Sequence, residues 1–471
     1  MVFRSPYPDV SIPAVSLAPF LLRHADRLLD KPALVDALTG HGYTYGELTL
    51  AVRRLGISLT RRGFTTGDVF ALYCANGPEY VVAMLGVWSI GGVVTTANPL
   101  LTAGELRRQL EDSGAALLLT APELLDRATE ASAGTAVREL LTIGEATGAT
   151  PFAALLEDKG DAGQSGQAPA IQVSPENLAA IPYSSGTTGF PKGVLLTHHN
   201  IVANCCQFQS VTQVSERDVL IDAMPFFHAA GWVILFHMGL ANGCTIVTLP
   251  RFDLEPFLRA CQDYSVTSTL LVPPCVLALA KQPVVSSYDV SRLRTIFVGA
   301  APLAEGVARE CCARLGCAIQ QVYGLTETSP ATHANPAATA ASKLASVGVC
   351  VPNTECRVND LATGEALGSR QEGEICVRGP QVMRGYLGRP DATANAIDAE
   401  GWFHTGDVGY ADEEGYLYIV DRVKELIKYN AYQVAPAELE AVLLTHPAIA
   451  DAAVIPSPDE QAGEVPKAFI V

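Results

Sequence analysis

The segment Tyr183-Ser-Ser-Gly-Thr-Thr-Gly-Phe-Pro-Lys-Gly193 follows directly on the apolar run from Leu178 to Ile181. It packs three glycines, four Ser/Thr residues and one lysine into eleven positions. Glycines let backbone N–H groups close around an anion, and hydroxyls add donors. Lys192 supplies a point charge suited to phosphate oxygens. The segment is not a Walker A loop, because no Gly-Lys-Ser/Thr triplet is present. Its residue types suit phosphate binding, and an ordinary polar turn is the alternative.

Outward from this loop, apolar runs alternate with amphipathic stretches. Thr102 to Ser113 reads as a helix opened by a Thr102/Glu105 capping box, and Ala116 to Leu119 as a strand. Glu255 to Tyr264 reads as a helix, with Ser268 to Val272 and Leu293 to Val298 as strands. Such alternation implies an α/β fold with parallel sheet. Val81 to Ala103 is uncharged but broken by Gly91, Gly92, Asn98 and Pro99. A buried helix followed by a strand fits it better than a membrane span. Residues 144 to 170, rich in Ala and Gly, read as a surface linker. After Gly401 the texture changes. Gly415 to Val420 and Leu426 to Tyr429 read as strands, and Pro436 to Leu444 as a helix with Leu439, Val442 and Leu443 on one face. This predicts a large domain over residues 1–420 and the start of a small mobile one over 421–471. The chain stops at Val471 inside a strand-like run, so a truncated small domain is expected.

The 471 residues carry 49% hydrophobic and 17% charged side chains, enough for two to four lobes with a sizeable core. The formal charge of -17 argues against nucleic acid or anionic lipid as partner. An anionic ligand must therefore be held by local groups. Twelve cysteines are scattered without a Cys-x-x-Cys pair, and no signal peptide opens the chain. Buried reduced thiols in a cytoplasmic protein are the expectation.

Ser184 to Gly193 closely resembles the phosphate loop of the adenylate-forming superfamily, which comprises acyl-CoA synthetases, peptide-synthetase adenylation domains and beetle luciferases. Further matches follow in that family's order: Pro225-Phe-Phe-His228, Gly299-Ala-Ala-Pro-Leu303, Gln321-Val-Tyr-Gly-Leu-Thr-Glu327, Gly401-Trp-Phe-His-Thr-Gly-Asp407 and Asp421-Arg-Val-Lys-Glu-Leu-Ile-Lys428. The stretch Lys424 to Lys428 with Gln433-Val-Ala-Pro-Ala-Glu-Leu-Glu440 resembles the 4-coumarate–CoA ligase branch. The resemblance implies a large multi-lobed domain of helix-flanked parallel sheets with a β-barrel-like lobe, followed by a small α+β domain. It implies two steps, with ATP, Mg²⁺ and coenzyme A as cofactor and co-substrates: an acid's carboxylate attacks the α-phosphate of ATP, and the acyl group then passes to coenzyme A.

By the same resemblance Ser184, Ser185, Gly186, Thr187, Thr188, Gly189 and Lys192 hold the β- and γ-phosphates, and Thr326 meets the α-phosphate. Glu327 would hold Mg²⁺, as a hard cation prefers oxygen. Taken alone, Glu327 could be a surface acid. Ala300, Ala301 and Pro302 would flank one face of adenine and Tyr323 the other, with Gln321 and Val322 beside them. Asp407, joined by Arg422, would accept from the ribose diol, for which a carboxylate has the acceptors; alone, it could be a turn residue. His228 resembles the histidine beside the acyl carboxylate and is read as a positioning group, although a lone histidine in an apolar segment is commonly a core residue. Lys424, Lys428 and Gln433 would approach the adenylate after the small domain swings about a hinge near Asp421. Arg251 would meet a coenzyme A phosphate. The acyl pocket would be lined by Ala230, Ile234, Phe297, Gly299, Ala300, Val322, Pro330 and Ala331.

Four departures bear on chemistry. Asn430-Ala431 stands where the family usually has Lys-Gly beside the coenzyme A channel. Val322 replaces a glycine and should narrow the acyl pocket. Ala229-Ala230 replaces Ile-Tyr and should open it. The small domain's adenylation lysine is expected past Val471. The implied substrate is an aryl or arylpropenoic acid. Transfer to an amine or carrier-protein thiol, a medium-chain fatty acid as substrate, and a non-catalytic nucleotide- or acyl-binding protein remain alternatives.

Overall fold

The computed structural model describes residues 1–157, 172–184, 191–423, 425–429, 432–434, 436–444, 446, 448–449, 451–459 and 463–471. Two large sheets form its body. In one, the parallel strands Val93–Thr96, Val69–Tyr73, Ala115–Thr120, Glu139–Thr142 and Thr150–Pro151 lie side by side. On its other flank Leu178–Ala180 leads to Lys192–Thr197 and Tyr183–Ser184. In the second, Ala318–Gly324, Thr295–Val298, Ser268–Leu271, Val219–Asp222, Thr245–Thr248 and Pro32–Asp36 are parallel.

Helix Pro78–Ser89 is buried along nearly its whole length. It therefore carries apolar residues all round rather than a stripe. Trp88 Nε1 donates to Ala179 O at 2.8 Å, tying the helix to the first sheet. Tyr80 Oη donates to Phe226 O at 3.1 Å, tying it to the loop after Val219–Asp222. Strand Val93–Thr96 follows it, as the sequence implied. Helix Ala103–Ser113 starts at the expected capping box, and Gly114 ends it in the left-handed region.

A third, antiparallel sheet orders Phe3–Arg4, Glu355–Asn359, Gly373–Arg378, Phe403–Ala411 and Leu417–Arg422. A fourth orders Tyr432–Val434, Ile427–Tyr429, Gly463–Ile470 and Ala452–Asp459, beside helix Pro436–Leu443. The layered α/β architecture matches the expectation, with two local corrections. Residues 150–156 are not linker: they form strand Thr150–Pro151 and helix Phe152–Leu156, whose Phe152 and Leu155 sit one turn apart and are both buried. Val442 is 67% exposed and Leu439 and Leu443 are only half-buried, so the face they share is not part of a closed core. All twelve cysteines are free thiols. Among the described residues no helix is long and apolar enough to cross a membrane.

Candidate active site

Parallel sheets leave a crevice at the carboxyl ends of their strands, where chain reversals gather loops. Here both sheets open their carboxyl ends onto one cavity of about 1730 Å³. That exceeds the roughly 300–1000 Å³ of a typical single-ligand site, so two ligands fit side by side. Thr96 and Asn98 reach it from the first sheet; Phe227, Leu271, Gly299 and Tyr323 reach it from the second.

At one end Ser184 and Lys192 face each other in register across two antiparallel strands. Both line the cavity. Ser184 Oγ is buried and finds no hydrogen-bond partner among the described residues. A buried hydroxyl in that state is a donor awaiting an acceptor. Lys192 Nζ lies 4.7 Å from the ring centre of Tyr386. Tyr386 was not foreseen. It is brought in by strand Gly385–Tyr386, which pairs with Val194 and Leu195 just beyond the lysine. Its hydroxyl donates to Glu327 Oε1 at 2.9 Å. Glu327 is buried to 7% exposure yet lines the cavity. One oxygen holds the tyrosine, and the carboxylate retains acceptor capacity for a hard cation such as Mg²⁺. Asp112, also unforeseen, takes Tyr183 Oη at 2.7 Å and Arg389 Nη2 at 3.2 Å on the same wall.

Ala300, Ala301, Pro302, Val322 and Tyr323 also line the cavity. Ala300 adopts φ +70°, a left-handed conformation unusual for alanine. Gly324 cannot be replaced: a Cβ there would meet Pro330 O at 1.8 Å. Tyr323 Oη donates to Asp407 Oδ2 at 2.7 Å, and Arg422 Nε donates to Oδ1 at 3.1 Å. Asp407 is only 6% exposed. Burial pushes its carboxyl above the usual range, while the tyrosine hydroxyl and the guanidinium pull it back.

His228 lines the cavity from the turn His228 N to Pro225 O that follows strand Val219–Asp222. It opens onto the cavity but is otherwise enclosed, and this desolvation lowers its pKa against the pull of Glu327. Its Nδ1 accepts from Ala230 N at 3.3 Å. The neutral ring therefore carries its proton on Nε2, as a donor. Ala230, Ile234, Gly299, Pro330, Ala331 and Thr326 line the same cavity.

Not every expected residue reaches this wall. Phe297 sits behind it, packed on Phe208 with ring centres 5.5 Å apart, because its strand turns that side chain into the core. Gln321 is likewise buried; its amide holds Leu344 O and Leu303 N, which supports the Ala300–Leu303 loop from behind. Arg251 is exposed and off the cavity. Lys428 and Gln433 are register partners in the small sheet. Ser185, Gly186, Thr187, Thr188, Gly189, Lys424, Asn430 and Ala431 lie outside the described residues.

Comparison with known proteins fits this geometry. A family profile described as AMP-binding enzyme matches residues 21–387, and one described as AMP-binding enzyme C-terminal domain matches residues 438–471. A 4-coumarate–CoA ligase of Vanilla planifolia is 40% identical over 481 residues, covering 100% of this chain and 87% of the relative. Among solved structures, ATP-bound MatB from Rhodopseudomonas palustris superposes with a TM-score of 0.85 at 30% identity, covering 96% of this chain and 88% of that one. The amide bond synthetase McbA from Marinactinospora thermotolerans gives 0.85 at 28% identity, covering 96% and 89%.

Proposed function

Because this chain belongs to the AMP-binding enzyme family, we propose that it is an AMP-forming acid–CoA ligase acting on an aryl or arylpropenoic acid in the cytoplasm. The observation that supports this reading is one cavity lined by Ser184 and Lys192, by Tyr323 and Asp407, by the apolar Ala230 and Ile234, and by His228 and Glu327. In the first step an oxygen of the acid attacks the α-phosphorus of ATP, and pyrophosphate leaves. Lys192 and Ser184 hold the phosphates, with the glycine-rich residues 185–189 completing the cradle. Thr326 contacts the α-phosphate. His228 donates from Nε2 to the acid's carboxylate and orients it; it is a positioning group. Glu327 holds Mg²⁺, which supplies positive charge to the phosphate oxygens. Asp407 and Arg422 fix the ribose while Tyr323 and Ala300–Pro302 enclose the base. In the second step the coenzyme A thiolate attacks the acyl carbonyl and AMP leaves. Lys424, Lys428 and Gln433 approach from the small domain, taken as residues 421–471, and Arg251 and the Asn430-Ala431 pair lie along the coenzyme A path.

The small side chains of Ala230, Gly299 and Ala331 suit a planar ring, and the 4-coumarate–CoA ligase relatives act on such an acid. The acidic overall charge suits small-molecule partners rather than nucleic acid. The test is acid-dependent pyrophosphate exchange across aryl, arylpropenoic and medium-chain fatty acids, with products identified by mass. A coenzyme A thioester of an aromatic acid supports the reading. Exchange only with fatty acids overturns the substrate class, and no exchange with any acid overturns the activity.

A second reading keeps adenylation and sends the acyl group to an amine or a carrier-protein thiol. The Asn430-Ala431 pair and the likeness to an amide bond synthetase favour it. An amide formed when an amine replaces coenzyme A, with no thioester in its presence, separates the two.

A further inference from the structure

The antiparallel strands Gly373–Arg378 and Phe403–Ala411 bring three unlike side chains together beside the cavity. Glu374 and Cys376 are two apart on one strand and so share a face. His404 is the cross-strand partner of Cys376. His404 Nδ1 lies 2.9 Å from Glu374 Oε2 and 3.4 Å from Cys376 Sγ. All three donor atoms lie within 4.8 Å of one another.

The other ring nitrogen decides how this cluster is read. His404 Nε2 faces Asp398 Oδ2 at 3.4 Å. Asp398 is itself fixed by the Glu400 and Trp402 amides and by Arg357. A proton on Nε2, directed at Asp398, leaves Nδ1 with a lone pair facing a carboxylate and a sulfur. That lone pair either accepts the Cys376 thiol proton or, with the proton displaced, joins the sulfur and the carboxylate in holding a cation. Carboxylate–histidine–metal arrangements have this form, with the outer carboxylate setting the tautomer.

We propose that Glu374, Cys376 and His404 form a site for one zinc-class divalent cation, separate from the Mg²⁺ position at Glu327. A thiolate, an imidazole and a carboxylate make a borderline-soft donor set that suits zinc and not magnesium. In a tetrahedral zinc site, N and O ligands sit about 3.4 Å apart and N and S about 3.6 Å apart. The Nδ1–Oε2 separation of 2.9 Å is about 0.5 Å shorter than that and the Nδ1–Sγ separation of 3.4 Å about 0.2 Å shorter, so modest side-chain shifts admit the ion. Cys376 is fully buried, whereas Glu374 and His404 line the cavity, so the fourth position opens to water there. Arg357 acts on the Cys376 thiol but is also paired with Asp398 and Glu400, which limits its repulsion of the metal. Binding displaces the thiol proton, so affinity rises with pH. Glu374 Oε1 also accepts from Gly406 N at 3.2 Å. A cation here therefore steadies the residue preceding Asp407.

The experiment titrates the metal-free full chain with cobalt(II), then with zinc(II) in competition by calorimetry. A thiolate-to-cobalt charge-transfer band at one equivalent, abolished by zinc and absent in Cys376→Ser, is the expected result. Asp398→Asn should weaken zinc binding about 10- to 100-fold, and it decides the matter alone if the cysteine variant does not fold. No band with the wild-type chain, or the same band in Cys376→Ser, overturns the proposal and leaves His404 as a hydrogen-bonded link between Glu374 and Asp398.

Discussion

Tyr323→Phe isolates one hydrogen bond while keeping the ring that the proposed function sets against the base. The lost hydroxyl donates to Asp407 Oδ2 at 2.7 Å, and only Arg422 Nε at 3.1 Å remains among the described partners of that carboxylate. Asp407 is almost fully buried, so its ionised form already suffers from desolvation, and its pKa stands above the ordinary aspartate value. A hydrogen bond to a charged group contributes about 1.5–3 kcal/mol. Removing it shifts the balance from ionised to protonated Asp407 by about 10- to 150-fold, at 1.36 kcal/mol per tenfold change. The sign follows from the group: an acid whose pKa is raised loses its charge earlier as pH falls. Ribose binding through ionised Asp407 should therefore fail at a higher pH in the variant than in the wild type. The assay is the KM for ATP in acid-dependent pyrophosphate exchange, measured from acid to alkaline pH. Near-equal KM values at alkaline pH, with the acid-side rise displaced upward, are expected. Superimposable profiles would refute the argument and remove Asp407 from the ribose site.

Lys192→Ala should slow pyrophosphate exchange about 10- to 100-fold with the fold intact, as loss of a charge-assisted phosphate contact predicts; unchanged exchange would remove it from the phosphate end. Tyr386→Phe frees Glu327 Oε1 from its 2.9 Å donor. It should raise the Mg²⁺ concentration for half-maximal exchange about 10- to 100-fold, as loss of an outer partner does at metal sites. An unaltered Mg²⁺ dependence would detach Glu327 from the cation. Ala300→Gly relieves a left-handed alanine at φ +70°. It should raise unfolding stability by up to about 1 kcal/mol in chemical denaturation, since the left-handed penalty exceeds the entropy cost of glycine. A clear loss would mean that the Cβ packs productively.

The sequence alone determined the elements whose signals are local. The capping box at Thr102 and Glu105 and the uniformly apolar helix before Val93 read correctly in type, because caps and burial patterns act within a few residues. The ordered motifs also carried the family, since each concentrates chemistry in a short loop. Tertiary structure decided which side chains share a wall. Tyr386 reaches Lys192 and Glu327 only because a two-residue strand pairs beside the phosphate loop, about two hundred residues away in sequence. Phe297 alternates away from the cavity and Gln321 turns to support a neighbouring loop, a choice of face set by strand register. Glu374, Cys376 and His404 carry no local signature; antiparallel register alone brings them within reach. Register and sheet order are non-local, fixed by burial over the whole sheet, so no window of sequence contains them.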